Sequence, residues 1–288
     1  MQTNTPTISE ALRWARDRLE QAELAFADPA TDSKVLLCHC LQCAPAYLHT
    51  WPDRRLELSQ WQAFENLVVQ RGQGIPVAHL TCERGFWNLS LKVSPKTLIP
   101  RSDTEVLVEK ALSLFENVPM DVLDLGTGTG AIALALASER SNWRVTATDY
   151  DEDIVALARE NAQHNGIDHV TLLKSHWFEA LADRRFSLIV SNPPYVEQDS
   201  ASLKEGDVRF EPLSALVAPE QGMADLLHII SHAGKYLLDS GYLVLEHGFE
   251  QAEKVQRALN DHGFTDVGSV KDYAGLDRVS FGKWLKKM

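Results

Sequence analysis

The chain has little cysteine, no long hydrophobic run and no excess of positive charge, and each shortage closes off a class of protein. Four cysteines in 288 residues are too few for a disulfide framework in a chain this long with no visible secretion signal. Cys38-His39-Cys40-Leu41-Gln42-Cys43 resembles a metal tract at first glance. It follows Ser33-Lys34-Val35-Leu36-Leu37 at helical spacing, however, and Cys82 has no CxxC partner, so the thiols read as small hydrophobes on a helix and no metal is expected. No apolar stretch is long enough to span a bilayer, and Met1 to Ser9 lacks a basic segment followed by an apolar one. A cytoplasmic protein without a membrane partner is expected. A net charge of −12 would repel nucleic-acid phosphates, so no direct nucleic-acid partner is expected either. Repeats and low-complexity segments are missing as well. The hydrophobic content of 44% and charged content of 24% are ordinary for a globular protein, and 288 residues allow two domains.

The amino-terminal third predicts a small helical bundle. Thr7-Ile8-Ser9-Glu10 has capping-box form and opens a helix with Ile8, Leu12, Ala15 and Leu19 on one side. Asp28-Pro29 sets a cap residue before a proline suited to the first helical position. Ser59-Gln60-Trp61-Gln62 starts a third helix carrying Trp61, Phe64, Leu67 and Val68, which Gly72 can end. Gly74-Ile75-Pro76 marks a connector. The imperfect alternation of Phe86, Asn88, Leu89, Leu91 and Val93 suggests one arm of a hairpin. The domains expected are 1–73, helical; 74–100, a connector with a β-hairpin; and 101–288, an α/β domain.

From about Val106 strand and helix patterns alternate, which implies a parallel sheet with helices on both faces. Strands are expected at 122–125, 144–148, 170–174, 186–191, 242–246, 265–271 and 279–284. The last two are joined by a loop without a helix, which suggests an antiparallel closing pair.

Two motifs carry chemistry. The first is Val122-Leu123-Asp124-Leu125-Gly126-Thr127-Gly128-Thr129-Gly130-Ala131-Ile132, an apolar strand running through a glycine turn into a helix. Glycine lets the backbone approach a ligand, and a helix start offers free N–H groups. The next strand ends in Asp149, where an acid could grip ribose hydroxyls. Asp149 could equally cap the following helix, as could Asp151 or Asp153. A nicotinamide-binding protein would share all of this.

The second motif separates the readings. Ser191-Asn192-Pro193-Pro194-Tyr195 directly follows the apolar run 186–190. An amide or exocyclic amine nitrogen is a poor nucleophile because its lone pair is delocalised. The Asn192 side-chain oxygen and a carbonyl of the Pro-Pro turn, that of Pro193, could accept its two N–H bonds and aim the lone pair at an electrophile. Pro193 and Pro194 stiffen the turn, and Tyr195 offers a flat face for the conjugated plane. Hydride transfer would need a placed proton donor such as a Tyr-Lys pair, and none is seen. Methyl transfer fits better.

With these motifs in order, the chain resembles the glutamine methyltransferases of peptide chain release factors (HemK/PrmC type). Gly74-Ile75-Pro76, Phe86-Trp87, Leu98-Ile99-Pro100-Arg101, Thr104-Glu105, Trp177-Phe178 and Phe210-Glu211-Pro212 with Ala215-Leu216 carry the resemblance beside the glycine turn and the Asn-Pro-Pro-Tyr motif. It spans essentially the whole chain. Departures at Ala78-His79-Leu80-Thr81-Cys82 and at Ser102 lie ahead of the catalytic motifs.

The resemblance implies a Rossmann-like class I methyltransferase fold: a seven-stranded sheet with a reversed final strand, preceded by a small all-α bundle that recognises the substrate. It implies S-adenosylmethionine as methyl donor, over Gly126, Thr127, Gly128, Thr129 and Gly130, with its ribose on Asp149, its adenine near Trp177 and its methyl close to Asn192. Asn192, Pro193, Pro194 and Tyr195 would hold the acceptor, the glutamine of a Gly-Gly-Gln motif in release factors. Arg101 and Glu105 are candidates for the substrate mouth, with helix capping and a surface ion pair as the plain alternative, and Glu211-Pro212 resembles a segment that helps shape the substrate entrance. His247 reads as structural. The alternative functions are a ribosomal-protein glutamine methyltransferase, a DNA adenine methyltransferase using the same motif on a flipped base, and a silent binding module of the same fold.

Overall fold

A computed structural model describes residues 5–25 and 27–286; the outermost residues of the expected first and last domains lie outside these. Where the amino-terminal sequence pairs a cap with an apolar stripe, a helix forms. The Thr7 hydroxyl accepts the Glu10 N–H at 3.2 Å and Glu10 accepts the Thr7 N–H at 2.8 Å, starting α1 (Ile8–Glu20). Its buried stripe is Ile8, Ala11, Ala15 and Leu19, with Leu12 at the rim. Asp28 caps α2 (Pro29–Leu41). Cys38, Cys40 and Cys43 lie half-buried against the helical core, where burial pushes the Cys38 and Cys40 thiols up to about 11.

A short α3 (Pro45–Thr50) was not legible in the pattern. The next helix, α4 (Leu58–Gly72), starts one residue before Ser59, with Gln60 accepting the Glu57 N–H at 3.0 Å. Gly74 turns the chain at φ +95° before α5 (Val77–Thr81). Leu36, Leu37, Phe64 and Val68 form the centre of this core, and Trp14 packs edge-on against Trp61 at 4.8 Å.

The first compact unit therefore runs to Cys82, past the boundary expected at residue 73, and also takes in Ala201–Phe210. Arg71 explains that second piece. Its guanidinium, 4% exposed, donates to Asp32 at 2.7 Å, to Asp207 at 2.8 Å and to the Ile75 carbonyl at 3.2 Å. A buried cation persists only when paired in this way, and removing one partner of such a pair costs about 3–5 kcal/mol.

The second unit comprises Glu83–Ser200 and the chain from Glu211 onward. It begins with a hairpin of β1 (Glu83–Phe86) and β2 (Leu89–Lys92). The segment expected to be one arm thus contains the turn, at Trp87-Asn88, followed by the second arm. Trp87 takes φ +57°, unusual for an aromatic residue. It is held there by Glu105, which accepts its backbone N–H at 2.9 Å, and by Glu139, which accepts its indole N–H at 2.8 Å.

The sheet follows in strand–helix alternation: α6 (Glu105–Leu114), β3 (Met120–Leu125), α7 (Ala131–Glu139), β4 (Trp143–Asp149), α8 (Glu152–His164), β5 (Thr171–Lys174) and β6 (Phe186–Ser191). A one-turn α9 (Pro219–Gly222) and α10 (Ala224–Ala233) precede β7 (Leu237–Glu246), α11 (Ala252–Asp261), β8 (Phe264–Lys271) and β9 (Asp277–Trp284). The seven strands lie in the order β5-β4-β3-β6-β7-β9-β8. Those from β5 to β7 are parallel, whereas β9 runs antiparallel to both of its neighbours, β7 and β8. The reversed final strand is as the sequence implied.

Alternation along the strands builds both cores. Val122, Leu188, Val190 and Val244 pack on one face with α6, α7 and the hairpin. Leu123, Leu125, Ile189, Leu243 and Leu245 pack on the other with α10 and α11. Strand order reverses between β3 and β6, which opens a crevice at their carboxyl ends. Among the described residues no helix is long and apolar enough to cross a membrane.

Candidate active site

A cavity of about 410 Å3 lies at that crevice. Gly126, Thr127, Gly128 and Thr129 form one wall. Gly128 sits at φ +55°, and a Cβ there would project into open space with no atom within 4 Å. Gly130 does not line the cavity. It starts α7 at φ +86°, where a Cβ would press on Leu134 at 3.2 Å.

Several buried groups hold this turn. The Thr127 N–H reaches the Thr148 carbonyl at 2.9 Å, and its hydroxyl donates to Asp124 at 2.6 Å. Asn161, fully buried on α8, donates to the Thr129 carbonyl at 2.9 Å. With Asn165 it also meets the backbone of β2: Asn161 accepts the Lys92 N–H at 2.7 Å and Asn165 the Ser90 N–H at 3.1 Å. Two amide side chains one helical turn apart thus satisfy a strand edge that would otherwise be unpaired. Asp124 is fully buried and its Oδ1 has no partner. Burial pushes its carboxyl up to about 7, the Thr127 hydroxyl and the Ala133 N–H pull it down, and Asp149 adds to the rise.

Asp149 ends β4 and lines the cavity. It is not the helix cap, a role Asp151 takes by accepting the Asp153 N–H at 2.8 Å. The Asp149 carboxylate instead accepts the Gly128 N–H at 3.0 Å. Burial raises its pKa, against hydrogen bonds from the Gly128, Asp151 and Tyr150 backbones. Trp177 lines the next stretch of wall at φ +47°, with the Ser175 hydroxyl donating to its carbonyl at 2.8 Å. Its ring stands 3.4 Å from where a Gly126 Cβ would lie. His176 and Asp225 share this wall. Neither was anticipated: the first is overshadowed by the adjacent tryptophan, and the second reads in sequence as an ordinary first-turn acid of α10.

The Asn-Pro-Pro-Tyr turn divides. Asn192 and Pro194 line the cavity; Pro193 is buried, and neither it nor Tyr195 lines the wall. Tyr195 is half-buried, and its hydroxyl donates to Glu246 Oε1 at 3.0 Å. The Tyr195 and Val196 N–H groups both reach the Leu216 carbonyl, at 3.1 and 2.8 Å, while Gln251 donates to the Tyr195 carbonyl at 3.0 Å. Gly222 packs so closely that a Cβ there would lie 2.1 Å from that carbonyl oxygen. Asn192 Nδ2 donates to the Thr104 hydroxyl at 3.2 Å.

Two further candidates have other partners. Arg101 pairs with the buried Glu211, and Glu105 accepts the Trp87 N–H; neither lines the cavity. His247 is buried between the Gly248 carbonyl at 2.9 Å and the Ser280 hydroxyl at 2.8 Å. The cavity thus joins an open glycine wall, a buried carboxylate and an indole to a rigidly mounted carboxamide, a shape suited to a nucleoside-bearing donor next to a planar nitrogen group.

Two family descriptions match the chain, "PrmC N-terminal domain" over residues 10–81 and "Methyltransferase small domain" over residues 102–207. A release factor glutamine methyltransferase from Shewanella oneidensis is 50% identical over 282 residues, covering 96% of each chain. Its namesake from Escherichia coli is 46% identical over 277 residues, covering 96% of this chain and all of the relative. Among solved structures, a Thermus thermophilus 16S rRNA methyltransferase in complex with AdoMet and guanosine superposes with a TM-score of 0.54 at 21% identity, over 70% of this chain and 49% of that one. That likeness concerns the fold.

Proposed function

The chain belongs to the release factor glutamine methyltransferases, and from that premise we propose that it moves a methyl group from S-adenosylmethionine to the side-chain amide nitrogen of the Gly-Gly-Gln glutamine in peptide chain release factors. The observation that supports this most is the meeting of Gly128, Asp149 and Asn192 at one cavity. The open space over Gly128, which any side chain would fill, and the buried carboxylate beside it fit a ribose-bearing donor.

Gly126 and Gly128 let the donor lie against the backbone, Asp149 takes its ribose hydroxyls and the Trp177 ring flanks its adenine. The donor supplies an electrophilic methyl on a sulfonium. Asn192 Oδ1 and a carbonyl of the Pro193-Pro194 turn accept the two N–H bonds of the glutamine amide and point its lone pair along the sulfur–methyl axis. Tyr195 stiffens this turn through Glu246. The N–CH3 bond forms as the S–CH3 bond breaks, and the sulfur leaves with the electron pair as a neutral thioether. The nitrogen is then cationic and acidic, so a carbonyl or water suffices to take its proton. Catalysis is positioning and electrostatics without a strong general base.

Labelled-methyl transfer to an intact release factor, a ribosomal protein and duplex DNA tests the substrate. Label on the release factor alone is expected. Label on DNA or on the ribosomal protein in its place would overturn the assignment.

A further inference from the structure

One carboxamide, that of Gln251, joins three segments behind the Asn-Pro-Pro-Tyr turn. Gln251 is buried in the loop that leads into α11. Its Nε2 donates to the Tyr195 carbonyl at 3.0 Å and to the Gln221 carbonyl at 3.2 Å, and its Oε1 accepts the Gly248 N–H at 2.9 Å. All three partners are backbone groups of known polarity, so the donor and acceptor ends of the amide are fixed. Its own backbone is held as well: the N–H by the Gly248 carbonyl at 2.8 Å, the carbonyl by the Val255 N–H at 3.0 Å.

What it holds is strained. Glu220, Gln221 and Gly222 take φ of +55°, +57° and +79° in succession. This is the longest run of left-handed backbone among the described residues, and only its third member is a glycine. Other residues persist in that region only where their surroundings over-determine them, and such strain gathers at functional sites. Here the run brings Gly222 against the Tyr195 carbonyl, whose oxygen would lie 2.1 Å from a Cβ. Gln251 bonds both the strained segment and the carbonyl it packs on. From Tyr195 the chain runs back through Pro194 and Pro193 to Asn192, and two prolines leave little freedom to absorb a shift. A displaced Tyr195 carbonyl therefore moves Asn192. We propose that Gln251 is a positioning residue, which sets the Asn192-Pro193-Pro194 turn for methyl transfer by locking the Tyr195 carbonyl to the left-handed run at Gln221. This rests on the reading of that turn as the holder of the acceptor nitrogen.

Gln251→Glu keeps the shape and exchanges the NH2 for an oxygen. Ionised, that carboxylate has no proton for either carbonyl; protonated, it has one. Burial against two carbonyl oxygens raises its pKa toward neutrality. Relative to wild type, kcat of this variant should fall about ten- to a hundredfold at about pH 8.5 and recover severalfold toward about pH 6. KM and S-adenosylmethionine affinity should stay within about twofold, because the glycine turn is untouched.

Gln251→Met keeps the length of the side chain without its hydrogen bonds, and its deficit in kcat should be the same at both pH values. Wild-type kcat in either variant, or a deficit of Gln251→Glu that ignores pH, would overturn the proposal. So would a loss of S-adenosylmethionine affinity in step with kcat in Gln251→Met, which would mark a merely structural role even if Gln251→Glu folded poorly. Rates are compared on whichever acceptor the wild type labels, so a wild type inert on release factor would fail the glutamine reading separately.

Discussion

The Asp149 carboxylate accepts the Gly128 N–H at 3.0 Å, binding the end of β4 to the middle of the glycine turn. The acid and the open backbone are therefore one cradle. Asp149→Ala should weaken S-adenosylmethionine binding by about 1.5–3 kcal/mol, the scale of a charged hydrogen bond. Gly128→Val should weaken it further, since the new side chain enters the cavity from a backbone at φ +55°. Titration calorimetry giving wild-type affinity in both variants would place the donor elsewhere.

Gly222 is a test of the mounting behind the clamp. It sits at φ +79° with the Tyr195 carbonyl oxygen 2.1 Å from where a Cβ would lie. Gly222→Ala should push the Asn-Pro-Pro-Tyr turn out of register and reduce kcat at least about tenfold, with donor affinity nearly unchanged because the glycine turn is untouched. Stopped kinetics with full turnover in this variant would show that the turn tolerates displacement.

Asp124 gives the stability a pH dependence of known sign. Burial holds its carboxyl at about 7, while the unfolded chain releases that proton near about 4. The folded state retains a proton the unfolded state has lost, so this contribution to stability is present below about pH 4 and declines as pH rises to about 7. Asp124→Asn cannot titrate. Melting curves of the wild type should lose ground to those of the variant between pH 5 and pH 8. Parallel behaviour across that range would contradict the buried, raised carboxyl.

Periodicity made the sheet readable. The strand expected at 186–191 coincides with β6, and the others deviate at their ends, because apolar alternation marks the buried centre of a strand better than its exposed tips. The glycine turn and Asn192 were readable for a different reason: their residue types have few purposes at a strand end. What escaped were features fixed by distant partners. Trp87 has no turn propensity of its own and holds its positive φ through Glu105 and Glu139. The inclusion of Ala201–Phe210 in the helical unit follows from Arg71 meeting Asp207 across 136 residues. Tyr195 was expected against the substrate plane, but its hydroxyl is tied to Glu246, a residue with no motif around it. Thr104 belonged to a recognised segment, yet nothing local shows that it faces Asn192.

The central claim is that the Asn192 carboxamide holds the acceptor nitrogen, and the most direct measurement is single-turnover methyl transfer by Asn192→Ala, with the modified glutamine located by tandem mass spectrometry. Removing the oxygen should slow transfer to the release-factor glutamine at least about a hundredfold, as for loss of one preorganised catalytic group, while S-adenosylmethionine affinity largely survives. An Asn192→Ala enzyme that methylates the same glutamine at a near wild-type rate would contradict the clamp.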